Sequence, residues 1–279
     1  MAKSVLITGC SSGIGKDAAV LLHAKGYKVF ATARQPKDVD DLLALGLESH
    51  LLDLSDSASI ESGLEWVLNQ TGGTLDVLIN NGAYGQPGAV EDLTTDVLRE
   101  QFEVNFFGWH HLTRLVIPVM RKQGSGRIIQ NSSILGFVSM PFRGAYNASK
   151  HALEGLTDTL RLELKGSGIE VVLIEPGPIQ TKFVENALAK IKSNIDIESS
   201  FHSDAYKKQL SRLGREEGYK KSMVNRFFLP PSSVSEKMLE AIEQAQPKAR
   251  YYVTLPTHVF GFLKRVLPTR TLDILLSKG

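Results

Sequence analysis

The chain is expected to fold as an α/β domain built on a doubly wound parallel sheet with helices on both faces. Three observations predict it. Short apolar runs alternate with stretches of helical periodicity along the first two thirds of the chain. A glycine-rich turn joins the first run to the first helix. The residues with chemical potential gather where runs end or the next helix begins, and in such sheets ligands bind outside the carboxyl ends of the strands.

Val5-Leu6-Ile7 reads as a buried strand stopping at a glycine cluster. Ile14, Ala18, Leu21 and Leu22 then carry helical spacing until Gly26. Val29-Phe30-Ala31-Thr32 is a second strand, broken at Pro36, and Leu51-Leu52-Asp53 a third. Ser55 or Asp56 caps a helix bearing Ile60, Leu64, Val67 and Leu68. The segment Leu75 to Asn80 is a fourth strand, followed by a turn through Asn81-Gly82-Ala83 and a long helix from about Thr95 to Lys122. Arg127 to Asn131 is a fifth strand, and Ser149, Leu153, Leu156, Leu160 and Leu164 mark the helix after it. Ile169 to Ile174 is a sixth, halted by Pro176-Gly177-Pro178. Residues 182–228 are polar without a strand signal, as expected of a lid-like insertion. Beyond them Ser232 to Gln244 reads as helix, Arg250 to Leu255 as strand and the tail from Thr257 as helix. One domain spanning 1–279 accommodates all of this.

Composition narrows the function. Of 279 residues, 42% are hydrophobic and 22% charged, ordinary for a soluble globular protein. Lys plus Arg exceed Asp plus Glu by 32 to 30, a net +2 that does not argue for a nucleic-acid partner. The single cysteine, Cys10, forms no internal disulfide and suits a reducing compartment. No apolar run reaches the length of about 18 residues that a transmembrane helix needs, and the N-terminus has no signal-peptide pattern, so a cytoplasmic protein is expected.

Gly9, Ser11, Ser12, Gly13, Ile14 and Gly15 occupy the first strand-to-helix turn. Glycines there permit a tight turn and close backbone approach to a pyrophosphate, which the helix N-terminus favours. At the end of the second strand the chain has Arg34 rather than an acid that would accept from a ribose 2′-hydroxyl. A guanidinium there suits a 2′-phosphate, with Ser11 adding a hydroxyl, so NADP(H) is the cofactor expected; the plain alternative is a solvated surface charge.

Tyr146 and Lys150 lie four apart on one helix face, Ser133 precedes Tyr146 by 13 residues, and Asn105 lies within the long helix. A Tyr and Lys at this spacing are usually a surface pair, Ser132-Ser133 a turn, and Asn105 a bridge between backbone groups; their joint occurrence makes the case. Together with Thr8-Gly-X-X-X-Gly13-X-Gly15, Asp53, Asn80-Asn81-Gly82-Ala83 and Pro176-Gly177, these residues make the chain resemble the short-chain dehydrogenase/reductase family over roughly residues 3–181. It looks most like the NADP-dependent branch with hydroxysteroid and retinol dehydrogenases and bacterial aldehyde reductases, the last resemblance extending through Tyr251 to Leu267. The resemblance implies a Rossmann fold and a homo-oligomer, with Tyr146 as acid–base, Lys150 tuning it and holding the nicotinamide ribose, Ser133 binding the substrate oxygen and Asn105 completing a proton relay. It implies Asp53, Asn81, Pro176, Gly177, Ile179 and Thr181 as further cofactor contacts. A free tyrosine, with a pKa of about 10, is a poor base near neutrality; a nearby ammonium and an oxidised nicotinamide are expected to lower it. The usual Asn-Asn-Ala-Gly is here Asn80-Asn81-Gly82-Ala83, which moves the permissive glycine by one position.

No metal is required, and the pair His110-His111 lacks ligand spacing. Leu135, Phe137, Val138, Met140 and Phe142 make the stretch before Tyr146 apolar, some as core and the rest pointing to a hydrophobic aldehyde, ketone or hydroxysteroid-like substrate. The tail from Phe260 to Leu267 mixes apolar and basic residues, consistent with a packed terminal helix or a weak peripheral membrane contact. Two rival functions use the same fold. A sugar-nucleotide epimerase or dehydratase has a different glycine spacing and a larger C-terminal domain; a non-catalytic NADP-sensing regulator has no need of Asn105, Ser133, Tyr146 and Lys150 together.

Overall fold

In the computed structural model, which describes residues 2–213 and 227–277, seven strands form one sheet in the order β3-β2-β1-β4-β5-β6-β7, every pairing parallel. The strands are β1 (Ser4–Ile7), β2 (Lys28–Ala33), β3 (Glu48–Leu51), β4 (Val77–Asn80), β5 (Gly126–Asn131), β6 (Ile169–Glu175) and β7 (Arg250–Tyr252). Parallel pairing places all their carboxyl ends on one edge, and the order reverses between β1 and β4. The doubly wound Rossmann architecture expected from the sequence is therefore present.

Alternation along each strand decides which face a side chain enters. Val5, Ile7, Val29 and Ile79 pack against Ala18 and Leu22 of α1 (Gly13–Ala24) and Val234 and Met238 of α9 (Ser232–Glu243). Leu6, Phe30, Leu78 and Ile128 face the other way. There they meet Ile60 and Leu64 of α3 (Ser57–Thr71), Trp109 and Val116 of α5 (Gly108–Gln123), and Leu153 of α6 (Gly144–Glu163). Each buried Leu or Ile contributes about 1.5–3 kcal/mol, so both layers are firmly seated.

Several expectations shift. The third strand ends at Leu51 instead of beginning there. It is an edge strand of Glu48, Ser49 and His50, none of them buried, so no apolar run marks it; Leu52 and Leu54 bury only after it ends. Pro36 opens a helix, α2 (Pro36–Leu43), because the first helical position needs no amide hydrogen. The long helix is interrupted: α4 (Thr95–Phe102) passes through a π-helical turn, Glu103–Phe107, into α5. Asp56 rather than Ser55 caps α3, accepting from the amides of Ala58 and Ser59. The last strand stops at Tyr252, since α10 (Leu255–Val266) starts where Pro256 fits a first turn. Pro268 separates it from α11 (Thr269–Leu276).

Residues 182–228 contain α7 (Phe183–Asn194) and α8 (Ser203–Leu213). The segment leaves and rejoins the domain at one neck, where the Gln180 amide donates to the Leu229 carbonyl at 2.9 Å and the Leu229 amide to the Pro178 carbonyl at 3.2 Å. The charged clusters Arg215-Glu216-Glu217 and Lys220-Lys221 lie outside the described residues.

Candidate active site

The glycine loop is shaped by what cannot fit inside it. A Cβ on Gly9 would come within 2.4 Å of the Gly82 Cα, and one on Gly15 within 2.4 Å of the Gly9 carbonyl oxygen. Gly9 (φ +71°) and Gly13 (φ +57°) also take the left-handed region. The order Gly82-Ala83 is thereby explained: the residue without a side chain stands where the turn after β4 passes the loop. Asn81 fastens the two together, its Nδ2 donating to the Thr8 carbonyl at 2.9 Å and the Gly9 carbonyl at 3.2 Å, while its Oδ1 accepts from Asn131 at 2.9 Å. The Asn81 side chain is thus spent on building the loop.

Ser12 precedes α1 in extended conformation with no side-chain cap, and no acid stands in the first helical turn. The first amides of α1 therefore suit an anion, and the missing Cβ atoms leave backbone exposed to it. These residues fit the pyrophosphate of a nicotinamide dinucleotide. Ser11 and Arg34 are exposed at the rim, Arg34 immediately after β2. Asp53, just past β3, accepts from the amide and hydroxyl of Ser55 at 2.9 and 2.7 Å. Cys10 is buried and its thiol pushed up to about 12 by desolvation, so it is inert.

The other wall is built from buried polar side chains. Tyr146 and Lys150 project from the start of α6, 8% and 1% exposed. Burial pushes the Tyr146 phenol up to about 12, with a hydrogen bond to Ser133 pulling the other way. Burial drives the Lys150 ammonium down to about 7, with Glu154 opposing. The expected lowering of Tyr146 by Lys150 is not what these residues produce. The Lys150 Nζ donates to the Asn131 carbonyl at 2.9 Å, lies 4.1 Å from the Trp109 ring centroid, and is 5.8 Å from that of Tyr146. Lost hydration outweighs the Ser133 hydrogen bond, so at neutral pH the phenol keeps its proton.

Ser133 follows β5, its hydroxyl also accepting from the Leu135 amide at 3.1 Å. Ser132, its neighbour, is buried with no hydrogen-bond partner for its hydroxyl among the described residues. Asn105 sits fully buried in the π-turn, a distortion frequent at functional sites. Its amide accepts from the Tyr84 N–H at 3.1 Å and donates to the Tyr84 carbonyl at 2.8 Å. The bridge between backbone groups is thus what its side chain does. Beyond β6, Gly177 backs onto Thr254, and the Thr181 methyl lies 3.0 Å from where a Gly13 Cβ would be, so the 176–181 loop closes against the glycine loop. Phe183, the first residue of α7, sets its ring 5.3 Å from that of Tyr146.

A cluster that sequence reasoning missed lies behind the lysine. Arg250 on β7 bonds Glu154, reaches Glu175 at 2.5 Å and Asp158 at 2.6 Å. Glu175 is fully buried, and its carboxyl is pushed up to about 8, by desolvation first and then Glu154, against Arg250. The signal was available: an acid one helical turn beyond Lys150, and another closing an apolar strand next to Pro176.

A profile described as short chain dehydrogenase matches residues 3–192. The uncharacterized oxidoreductase YbbO of Escherichia coli K12 is 40% identical over 277 residues, covering 99% of this chain and 95% of that protein. A 3-ketodihydrosphingosine reductase of Bacteroides thetaiotaomicron is 35% identical over 214 residues, 76% of each. Among solved structures, a short chain dehydrogenase/reductase from Burkholderia phymatum in complex with NAD superposes with a TM-score of 0.77 at 26% identity, over 99% of this chain and 95% of that one. The fold agrees with these likenesses, and the chain belongs to the short-chain dehydrogenase/reductase family of nicotinamide-dependent oxidoreductases.

Proposed function

We propose that the chain is an NADP(H)-dependent reductase of hydrophobic carbonyl compounds, or in reverse a dehydrogenase of the matching alcohols. The observation that carries this reading is the Tyr146 phenol, buried, hydrogen-bonded to Ser133 and held protonated one helical turn from buried Lys150. When bound, the nicotinamide supplies or accepts hydride. Tyr146 delivers a proton to the substrate oxygen, Ser133 orients that oxygen, and Lys150 holds charge beside the phenol and binds the ribose. The side chain of Asn105 braces Tyr84, and the relay role falls to the backbone of its π-turn. The first amides of α1 and the backbone of Gly9 to Gly15 hold the pyrophosphate. Asp53, the backbone of Asn81, and Pro176, Gly177, Ile179 and Thr181 hold the remainder.

Arg34 supports NADP(H) over the NAD of the Burkholderia structure, because a guanidinium suits a 2′-phosphate and no acid at the strand end repels it. The apolar substrate rests on the loop after Ser133 and on Phe183 over Tyr146; the keto lipid named for the Bacteroides relative is of that class. Phe183 and the neck at Leu229 support residues 182–228 as the substrate lid of one domain.

The test is turnover with NADPH and NADH across long-chain aldehydes, 3-keto amphiphiles, hydroxysteroids and sugars. NADPH and the apolar carbonyls are expected to lead. Arg34→Asp should weaken NADPH by about tenfold or more, the worth of a charge-assisted contact, while leaving NADH within about twofold. Equal weakening of both cofactors overturns the 2′-phosphate assignment, and a preference for sugars overturns the substrate class.

A further inference from the structure

The C-terminal helices leave an apolar ridge uncovered. Leu255, Val259, Phe262 and Val266 follow one another at steps of four, three and four along α10, and so share one helix face. Leu255 and Phe262 are 63% and 64% exposed, and Ile274 and Leu275 of α11 continue the exposed apolar surface. This ridge is not the face by which the helices are held. Gly261 turns inward, where a Cβ would come within 2.6 Å of the Tyr252 ring, and Phe260 and Leu263 pack with Leu272, Leu276 and Val138. The helix is anchored on one side and bare on the other.

We propose that α10 and α11 form a seat for an anionic lipid bilayer, lying in the headgroup region with the ridge turned inward. Charge selects this occupant. Lys264, Arg265 and Arg270 are exposed on these helices, against one exposed acid, Asp273. A second copy meeting the ridge about a two-fold axis would set one net-positive surface against another. An anionic bilayer accommodates both features, and stable surface attachment takes two signals, an apolar one and a basic one. Helices of 12 and 8 residues are far too short to cross the hydrocarbon, which takes about 20. The seat therefore lies on the membrane.

The position gives the seat a use. Val138 and Phe137, packed beneath these helices, belong to the loop that leaves Ser133. A bilayer held by the ridge would stand beside the substrate entrance, from which an apolar carbonyl compound is drawn. This use rests on the proposed substrate class; the lipid contact itself does not.

Co-sedimentation of the full chain with vesicles of phosphatidylcholine, with and without phosphatidylglycerol, tests it without substrate or cofactor. Binding is expected to the anionic vesicles and to fall with salt. Val259→Ser with Phe262→Ser should weaken it tenfold or more. Lys264→Gln, Arg265→Gln and Arg270→Gln should each weaken it by up to about fivefold. All variants should keep the wild-type melting temperature and their turnover of a short water-soluble aldehyde. Absence of binding to anionic vesicles, or binding undiminished in the serine variant, overturns the proposal. So does sedimentation velocity showing that the ridge joins two copies which the serine variant separates. Failure of the functional reading would show instead as no turnover of any carbonyl compound, whatever the vesicles do.

Discussion

The two walls of the site are made from different materials. The glycine loop is backbone, glycine and exposed side chains, Ser11 and Arg34 among them. The wall opposite consists of buried side chains, and Tyr146, Lys150 and Glu175 are all driven from their ordinary acidities by lost hydration. The first wall works by shape, so adding an atom should damage it most. The second works by charge, so changes that preserve shape should still be felt.

The sharpest break of the comparison is Tyr146→Phe. The ring and its contact with Phe183 stay, while the hydroxyl proposed to donate the proton is lost. Turnover should fall by about 10²- to 10⁴-fold, the usual worth of general acid–base catalysis. Cofactor affinity, measured by fluorescence titration, should stay within about twofold. Turnover retained to within tenfold would remove Tyr146 from the chemistry.

Gly15→Ala asks the opposite question of the loop. The new methyl would lie 2.4 Å from the Gly9 carbonyl oxygen and 2.5 Å from the Asn81 Nδ2, and neither group is free to withdraw. Overpacking of this kind costs about 1–3 kcal/mol. Expressed in the loop's fit to cofactor, that is roughly a fivefold to hundredfold loss of affinity. Turnover at saturating cofactor should change far less. A loss of turnover at saturation as large as that of Tyr146→Phe would erase the distinction between the walls.

The same contrast explains what could be read in the sequence. Gly9 to Gly15, Ser133 and Pro176-Gly177 stand at the ends of strands whose apolar runs are visible, and Tyr146 and Lys150 open a helix whose periodicity is equally visible, so their placement followed from local pattern. The third strand escaped because an edge strand carries polar residues and leaves no apolar run. The grouping of Arg250 with Glu154 and Glu175 escaped for another reason: it joins residues 96 and 75 positions apart through strand neighbours that only the sheet order defines. Phe183 lay inside a segment read as a polar cover, and its ring reaches Tyr146 only because the 178–180 and 229 backbones pair at the neck. The role of Asn105 was half visible; that its amide would be consumed by Tyr84 depends on the π-turn, which periodicity does not reveal.

The smallest effect expected is in stability, and it concerns Glu175. Its carboxyl ordinarily titrates near 4.5 and in the folded chain is pushed up to about 8. The folded chain therefore holds a proton that the unfolded chain releases between those values. The stability this confers is complete below pH 4.5 and is lost as pH rises through 8. Lys150 acts in the reverse sense above its folded value of about 7, where the unfolded chain holds the extra proton and stability rises with pH. The clean window is thus pH 5 to 7. There the Glu175 contribution to the slope of unfolding free energy is bounded by one proton, about 1.4 kcal/mol per pH unit. Glu175→Gln mimics the protonated acid in nearly the same volume and should flatten that slope. Urea unfolding at pH 5, 6 and 7 should show variant and wild type alike at the acid end and the variant relatively more stable at pH 7. Parallel profiles would mean that Arg250 keeps the carboxylate ionised, and that the wall behind Lys150 is an ordinary ion-pair network rather than a proton-holding one.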